Sequence, residues 1–208
     1  MYISLIGMSG SGKSKWSIAI SRLGFKRFCC DDLITEKLTA DLTKTDGTLM
    51  GLGEWLGFPY APRYKEREAK YLACEIEVLS EIVEYINHDH HEKKNIVVDT
   101  TGSAVYAGEE ILNKLRRCTT MVHLSTPPEI QELMLKSYLT HKRPVLWKNF
   151  FKRMPNEKNE EALARCYPKL LLHREHLYKQ YKDMTIDYHT RNRHGFGGED
   201  FLNLVRGV

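Results

Sequence analysis

The chain has 208 residues, of which 42% are apolar and 28% charged, a balance that excludes a disordered or fibrous chain and leaves enough material for a core. Its formal charge of +4 permits an anionic small molecule but demands no nucleic acid, and no apolar run nears the ~20 residues of a membrane span. The five cysteines form no C-x-x-C pair, and Cys29 and Cys30 are adjacent, so they read as reduced thiols of a cytoplasmic protein rather than disulfides or metal ligands.

Tyr2-Ile3-Ser4-Leu5-Ile6 predicts a first strand, and a chain that enters a strand at once is not expected to begin with a signal peptide. The strand leads directly into Gly7-Met8-Ser9-Gly10-Ser11-Gly12-Lys13-Ser14, which fits G-x-x-x-x-G-K-[ST], and a helix-forming run follows from Lys13 to Leu23. Strand, glycine-rich loop and helix together separate a phosphate-binding P-loop from a chance glycine-rich turn. Glycines let successive N–H groups point inward at an anion, and the helix opening at Gly12 and Lys13 adds its positive end. Lys13 is expected on the β- and γ-phosphates of ATP, with the Ser14 hydroxyl on Mg²⁺.

Phe25 to Cys30 predicts a second strand ending in Asp31-Asp32, with a helix from about Leu33. Carboxylates at a strand's C-terminal end lie on the ligand-binding rim of an α/β sheet, although Asp also caps helices. From Ala40 to Pro62 glycines and prolines break up the chain, leaving an irregular insertion with a short helix around Glu54-Trp55-Leu56. Arg63 to Ile86 predicts one long helix, with Tyr71, Cys74, Val78, Ile82 and Tyr85 at spacings of three and four. The histidine-containing run from Asn87 to Lys94 is expected as a solvated turn, because nothing in the pattern holds it as a metal site.

Asn95-Ile96-Val97-Val98-Asp99 predicts a buried central strand. Asp99 then has the position of a carboxylate that holds Mg²⁺ directly or through water, with a loop hydrogen bond as the alternative. Thr101-Gly102-Ser103 follows, its glycine permitting close backbone approach. A helix over Glu109–Arg117, a strand over Thr120–Leu124 and a helix over Glu129–Tyr138 come next. A basic, proline-broken stretch is followed by a long helix from about Asn159 to Lys182, broken or restarted at Pro168. The fifth strand, Met184 to Asp187, and a helix over Glu199–Val205 close the chain. Five alternations of strand and helix with no hairpin signal predict an α/β, three-layer P-loop NTPase fold: a five-stranded parallel sheet flanked by helices, in one domain over 1–208.

Several separated segments resemble the shikimate kinase family. Phe28 to Glu36 is similar to its F-x-D-x-D-x-x-I-E segment, with Asp32 at the second Asp and Cys30 where the first, Mg²⁺-associated Asp belongs. That resemblance implies Asp32 as the group that grips the acceptor hydroxyl and takes its proton, and Asp31 beside it as a metal candidate. Gly53-Glu54 with Arg63 resembles the segment whose Arg holds the substrate carboxylate, although Arg67 competes. Thr101, Gly102 and Ser103 stand where the family has three glycines that cradle substrate. Arg143-Pro144-Val145-Leu146 resembles a lid motif whose Arg bridges phosphate and substrate. Arg174 to Tyr178 resembles the source of another carboxylate-binding Arg, against the plain alternative of a helix-surface ion pair. Lys136 sits near the position of an adenine-side Arg, and Arg191 would edge the adenine pocket.

The resemblance therefore implies an ATP- and Mg²⁺-dependent kinase of a small anionic, hydroxylated molecule, shikimate first. The phosphate site would comprise Gly7, Ser9, Gly10, Ser11, Gly12, Lys13 and Ser14, with a substrate-binding insertion over about 32–86 and a lid over about 137–158. A monomer or weak homodimer with no nucleic-acid or membrane partner is expected. Gluconate- or nucleoside-type kinases on the same fold, and a nucleotide-binding protein without turnover, are the alternatives.

Overall fold

Short β-branched runs become strands here because both faces of each are covered. The computed structural model describes residues 1–88, 94–140 and 143–207. Most of the histidine-containing turn, residues 89–93, lies outside them. Five parallel strands, β1 (Tyr2–Ile6), β2 (Phe25–Cys29), β3 (Asn95–Asp99), β4 (Thr120–Leu124) and β5 (Met184–Ile186), form one sheet in the order β2-β3-β1-β4-β5. Leu5 pairs with Asp99, and Ile6 with His123, so β1, β3 and β4 end level at one rim. The chain leaves β1 toward one edge and β3 toward the other, which puts the ligand crevice of such sheets between them.

Period-two alternation assigns the faces. Ile3, Leu5, Val97, Val122 and Leu124 pack with Trp16 of α1 (Lys13–Ser21) and with Phe201 and Val205 of α10 (Gly198–Arg206). Ile96, Val98 and Met121 face the larger layer. That layer draws on α2 (Cys30–Lys37), α5 (Tyr64–His88), α6 (Glu109–Cys118), α7 (Pro128–Thr140) and α8 (Asn159–Tyr181).

Helix α8 runs unbroken through Pro168, where a break was expected. A helix-interior proline costs about 3 kcal/mol. Leu163, Tyr167, Leu170, Leu171 and Tyr178 are all buried along the same helix, at about 1.5–3 kcal/mol for each fully buried apolar side chain, so packing wins. The insertion carries α3 (Thr39–Leu42) and α4 (Leu52–Leu56), bridged between by Thr43 and Leu49. A 3₁₀ turn (Ala104–Tyr106) follows β3, and the short α9 (Tyr188–Asn192) follows β5. Among the described residues no helix is long and apolar enough to cross a membrane.

Candidate active site

The P-loop turns from β1 into α1 at the carboxyl rim, with Gly10 and Gly12 in left-handed backbone (φ 88° and 96°) that a side chain would strain. It floors a cleft of about 430 Å³ onto which Ser9, Gly10, Gly12, Lys13 and Ser14 open. Lys13 curls back, its Nζ donating to Gly7 O at 2.8 Å and Met8 O at 3.0 Å. Burial pulls its pKa down while the nearby Asp99 and Asp31 charges push it up. The buried Ser11 hydroxyl has no hydrogen-bond partner, an orphan consistent with a loop built to hold something more. A triphosphate fits this cradle, and Ser14 with Asp31 would hold Mg²⁺ by one hydroxyl and one carboxylate.

Asp99 is placed differently from the metal role expected of it. It is buried, and its Oδ2 accepts from Ser17 Oγ at 2.9 Å and from Arg27 Nη2 at 2.6 Å. Arg27 Nε also donates to Ser17 Oγ at 2.7 Å. This oxygen is committed to an ion pair behind Lys13, joining β2, β3 and α1, so Asp99 serves there as a counter-charge.

The two aspartates after β2 separate because α2 begins at Cys30, before both, and one residue turns a helix by about 100°. Asp31 faces the cleft, where its Oδ1 accepts from Tyr71 OH at 3.1 Å. Burial raises its pKa, opposed by Lys13 and by the Tyr71 hydrogen bond. Asp32 points away, its side chain 73% exposed and 3.9 Å from Arg27 Nη1. The cleft-facing carboxylate is therefore Asp31, which corrects the position expected for Asp32.

Across from Asp31, Thr100, Thr101 and Gly102 line the cleft, whereas Ser103 turns inward. A side chain on Gly102 would start 2.7 Å from the Ser9 backbone nitrogen, so only glycine lets this loop rest on the P-loop. Beneath the loop Glu75 is fully buried. Its Oε1 accepts from the Thr101 hydroxyl and from Ser103 Oγ at 3.2 Å, while its Oε2 has no partner. Desolvation pushes Glu75 up to about 7, against those two hydrogen bonds.

Arg143 lies over the phosphate floor, its Nη1 3.0 Å from where a Gly10 side chain would begin. The strap after it is anchored rather than loose. Val145, Leu146 and Trp147 are buried. Tyr64 OH accepts from Trp147 N at 2.7 Å and lies 2.8 Å from both Val145 O and Glu68 Oε1. Lys148 N donates to Glu68 Oε1 at 2.7 Å, and Trp147 Nε1 donates to Tyr138 OH at 3.0 Å.

No protein-family model matches the chain, and no curated protein matches it by sequence. Solved structures do match it in shape. A shikimate kinase from Acinetobacter baumannii in complex with shikimate superposes with TM-score 0.64 at 22% identity, covering 99% of this chain and 93% of that one. The chain has the shikimate kinase-like P-loop kinase fold. The shikimate kinase from Aquifex aeolicus gives 0.61 at 20% identity (100% and 97% covered), and a dephospho-CoA kinase from Campylobacter jejuni gives 0.56 at 16% (99% and 95%).

Within that shikimate kinase-like fold, the arginines expected to clamp a carboxylate do not converge. Arg63 is exposed at the start of α5 and pairs with Glu66 at 2.8 Å. Its competitor Arg67 donates to Trp55 O at 2.5 Å. Arg174 is 2% exposed, donates from Nη2 to Leu146 O at 2.6 Å and lies over the Tyr106 ring at 5.2 Å. Lys136 sits on the outer side of α7, whereas Met134 and Ser137 face a hollow next to the P-loop. Arg191 is buried and donates to Ile186 O at 2.7 Å, Ser125 O at 2.6 Å and Ser11 O at 3.1 Å. Burial brings its pKa down to about 10. It braces the P-loop from beneath instead of edging an open adenine pocket.

Lys15, Glu75, Tyr64 and Glu68 are site or support residues that the pattern reading did not single out. Glu68 and Glu75 carried a signal: each is an acid on the same helical stripe as Tyr64, Tyr71 and Val78.

Proposed function

We propose that this chain is an ATP-dependent phosphotransferase that moves the γ-phosphoryl group onto a hydroxyl of a small molecule. The observation that carries this is Asp31 facing Lys13, Ser14 and Arg143 across one cleft. A hydroxyl set beside Asp31 is oriented by donating to the carboxylate, which takes its proton as the oxygen attacks. The new O–P bond forms as the bond from the γ-phosphorus to the bridging oxygen breaks, ADP leaves, and Asp31 returns the proton to water. Lys13 trades its two carbonyl partners for phosphate oxygens, and Arg143 neutralises charge on the transferring group from above. Mg²⁺, arriving with the nucleotide, supplies further neutralisation of the phosphates. Gly102 and Thr101 close the acceptor side, and Arg191 keeps the P-loop in place.

Shikimate is the acceptor to which the family resemblance points, and its hydroxyls suit Asp31. An assay of ADP release with Mg²⁺-ATP and a panel of hydroxylated acceptors tests the proposal. Acceptor-dependent turnover should fall by ~10²–10⁴ in Asp31→Asn, the usual contribution of a positioned base, and stay near wild type in Asp32→Asn. Equal loss in both variants, or none in Asp31→Asn, would remove Asp31 from the reaction.

A further inference from the structure

The charges around the cleft are unevenly spread, and the spread says what kind of acceptor belongs there. Its lining cations are Lys13, Lys15 and Arg143. Lys13 and Lys15 belong to the P-loop and the start of α1, and Arg143 lies on Gly10. All three are therefore at the phosphate end, where a triphosphate engages them. The acceptor end has no cation of its own. It offers the Asp31 carboxylate, the Thr100 and Thr101 hydroxyls and the Gly102 backbone, with the Glu75 carboxyl immediately behind Thr101.

The residue that comes nearest to supplying a cation is Arg174. Its guanidinium is engaged by the strap carbonyl of Leu146 and capped by the Tyr106 ring, whose hydroxyl lies 3.4 Å from Arg174 Nε. Freeing it for a ligand would strip a buried carbonyl of its donor and loosen the strap that carries Arg143. A carboxylate at this end would meet Asp31 and Glu75 with no guanidinium fork to hold it, and like charges at such separations oppose binding. Uncharged hydroxyls face no such penalty. They can donate to Asp31 and exchange hydrogen bonds with Thr100 and Thr101.

We propose that the acceptor is an uncharged polyhydroxylated molecule, and that Arg174 is a positioning residue that holds the strap rather than a substrate ligand. This rests on the phosphotransferase reading above.

The test uses acceptor pairs that differ only in the acid group: shikimate and its methyl ester, gluconate and sorbitol, glucuronate and glucose. ADP release with Mg²⁺-ATP is measured for each, and binding of the same compounds to the Mg²⁺-ADP complex is followed by ligand-observed NMR. The neutral member should exceed its acid by about tenfold or more in kcat/KM, the scale of one unfavourable charge contact. Asp31→Asn should narrow that ratio by admitting the acids. Arg174→Met should lower kcat alike for every acceptor, because it acts through the strap. Preference for the acids, lost in Arg174→Met through a rise in KM for the acids alone, would overturn the proposal and leave the kinase intact. Tight Mg²⁺-ATP binding with neither turnover nor acceptor binding for any pair would remove the kinase reading and this proposal with it.

Discussion

Placing a single methyl group at Gly102 tests whether the acceptor loop and the P-loop are one mechanical part. In Gly102→Ala the new carbon would start 2.7 Å from Ser9 N and 3.3 Å from both Ser9 Cα and Cβ, whereas ordinary contact begins at 3.4 Å. The two backbones must therefore part by about 0.7 Å (3.4 − 2.7). Neither can yield freely: Tyr178 OH donates to Gly102 O at 2.6 Å, and Thr100 Oγ1 donates to Leu5 O at 2.6 Å. Overpacking of this kind costs about 1–3 kcal/mol, which at about 2–4 °C per kcal/mol for a chain of this size gives a measurable fall in Tm. Displacement of phosphate-binding groups by most of an ångström should weaken nucleotide binding by about 10²-fold. Calorimetric titration with Mg²⁺-ADP and a thermal scan read both quantities. Gly51→Ala is the control, since Gly51 has φ −70° and nothing within 4 Å of a new methyl. A Gly102→Ala protein that binds ADP with wild-type affinity and melts with the control would refute the reasoning.

Further expectations concern the groups around this contact. Glu75 is held up at about 7 by desolvation, above the ~4.3 of a free glutamate, so the folded state keeps a proton that the unfolded chain has already released. Its stabilising effect is complete below about pH 4 and is lost as pH rises through about 7, for a fall of roughly 3 kcal/mol at ~1.4 kcal/mol per pH unit. Urea unfolding between pH 5 and 8 should show this decline in wild type and not in Glu75→Gln; parallel profiles would contradict it. Tyr64→Phe should lower stability by about 1–3 kcal/mol, because Trp147 N loses its acceptor in a buried place. Limited proteolysis should then cut the strap first, and unchanged cleavage would count against the anchored arrangement. Lys13→Ala should fold normally yet lose Mg²⁺-ATP binding by about 10²-fold or more, as expected on removal of a desolvated charge partner. Retained affinity in a filter-binding assay would show the P-loop to be idle.

The sheet was legible because each strand is a short apolar run placed between turn residues, and β1 through β4 begin and end where the pattern puts them. Helices α3 and α9 and the turn at Ala104–Tyr106 were not, since elements of three to five residues are too short to show a period. The P-loop was readable because its chemistry is written in consecutive residues. Asp31 and Asp32 were hard to order because the decision rests on where α2 starts, a one-residue matter that spacing does not resolve. Arg174 failed as a substrate ligand for a different reason. Its neighbour Leu146 belongs to a strap whose path depends on tertiary contacts with Tyr64 and Glu68, 78 or more positions away (146 − 68). Of the triplet at 101–103, only the middle residue abuts the P-loop backbone, which explains why threonine and serine are admissible on either side of an obligatory glycine.

The ion pair of Arg27 and Asp99 behind Lys13 has a bearing on how the site fills. A buried lysine facing an empty pocket would ordinarily shed its proton or pull water in behind it. Here a negative charge is built into the wall, and two loop carbonyls occupy the ammonium until something better arrives. The vacant cradle is thus electrically settled, and the arrival of phosphate is an exchange of partners rather than the rescue of a stranded charge. Affinity for the nucleotide is then the difference between two well-solvated arrangements of the same lysine. A protein so arranged can wait without its nucleotide, folded and armed, and let go of its product as readily as it took the substrate.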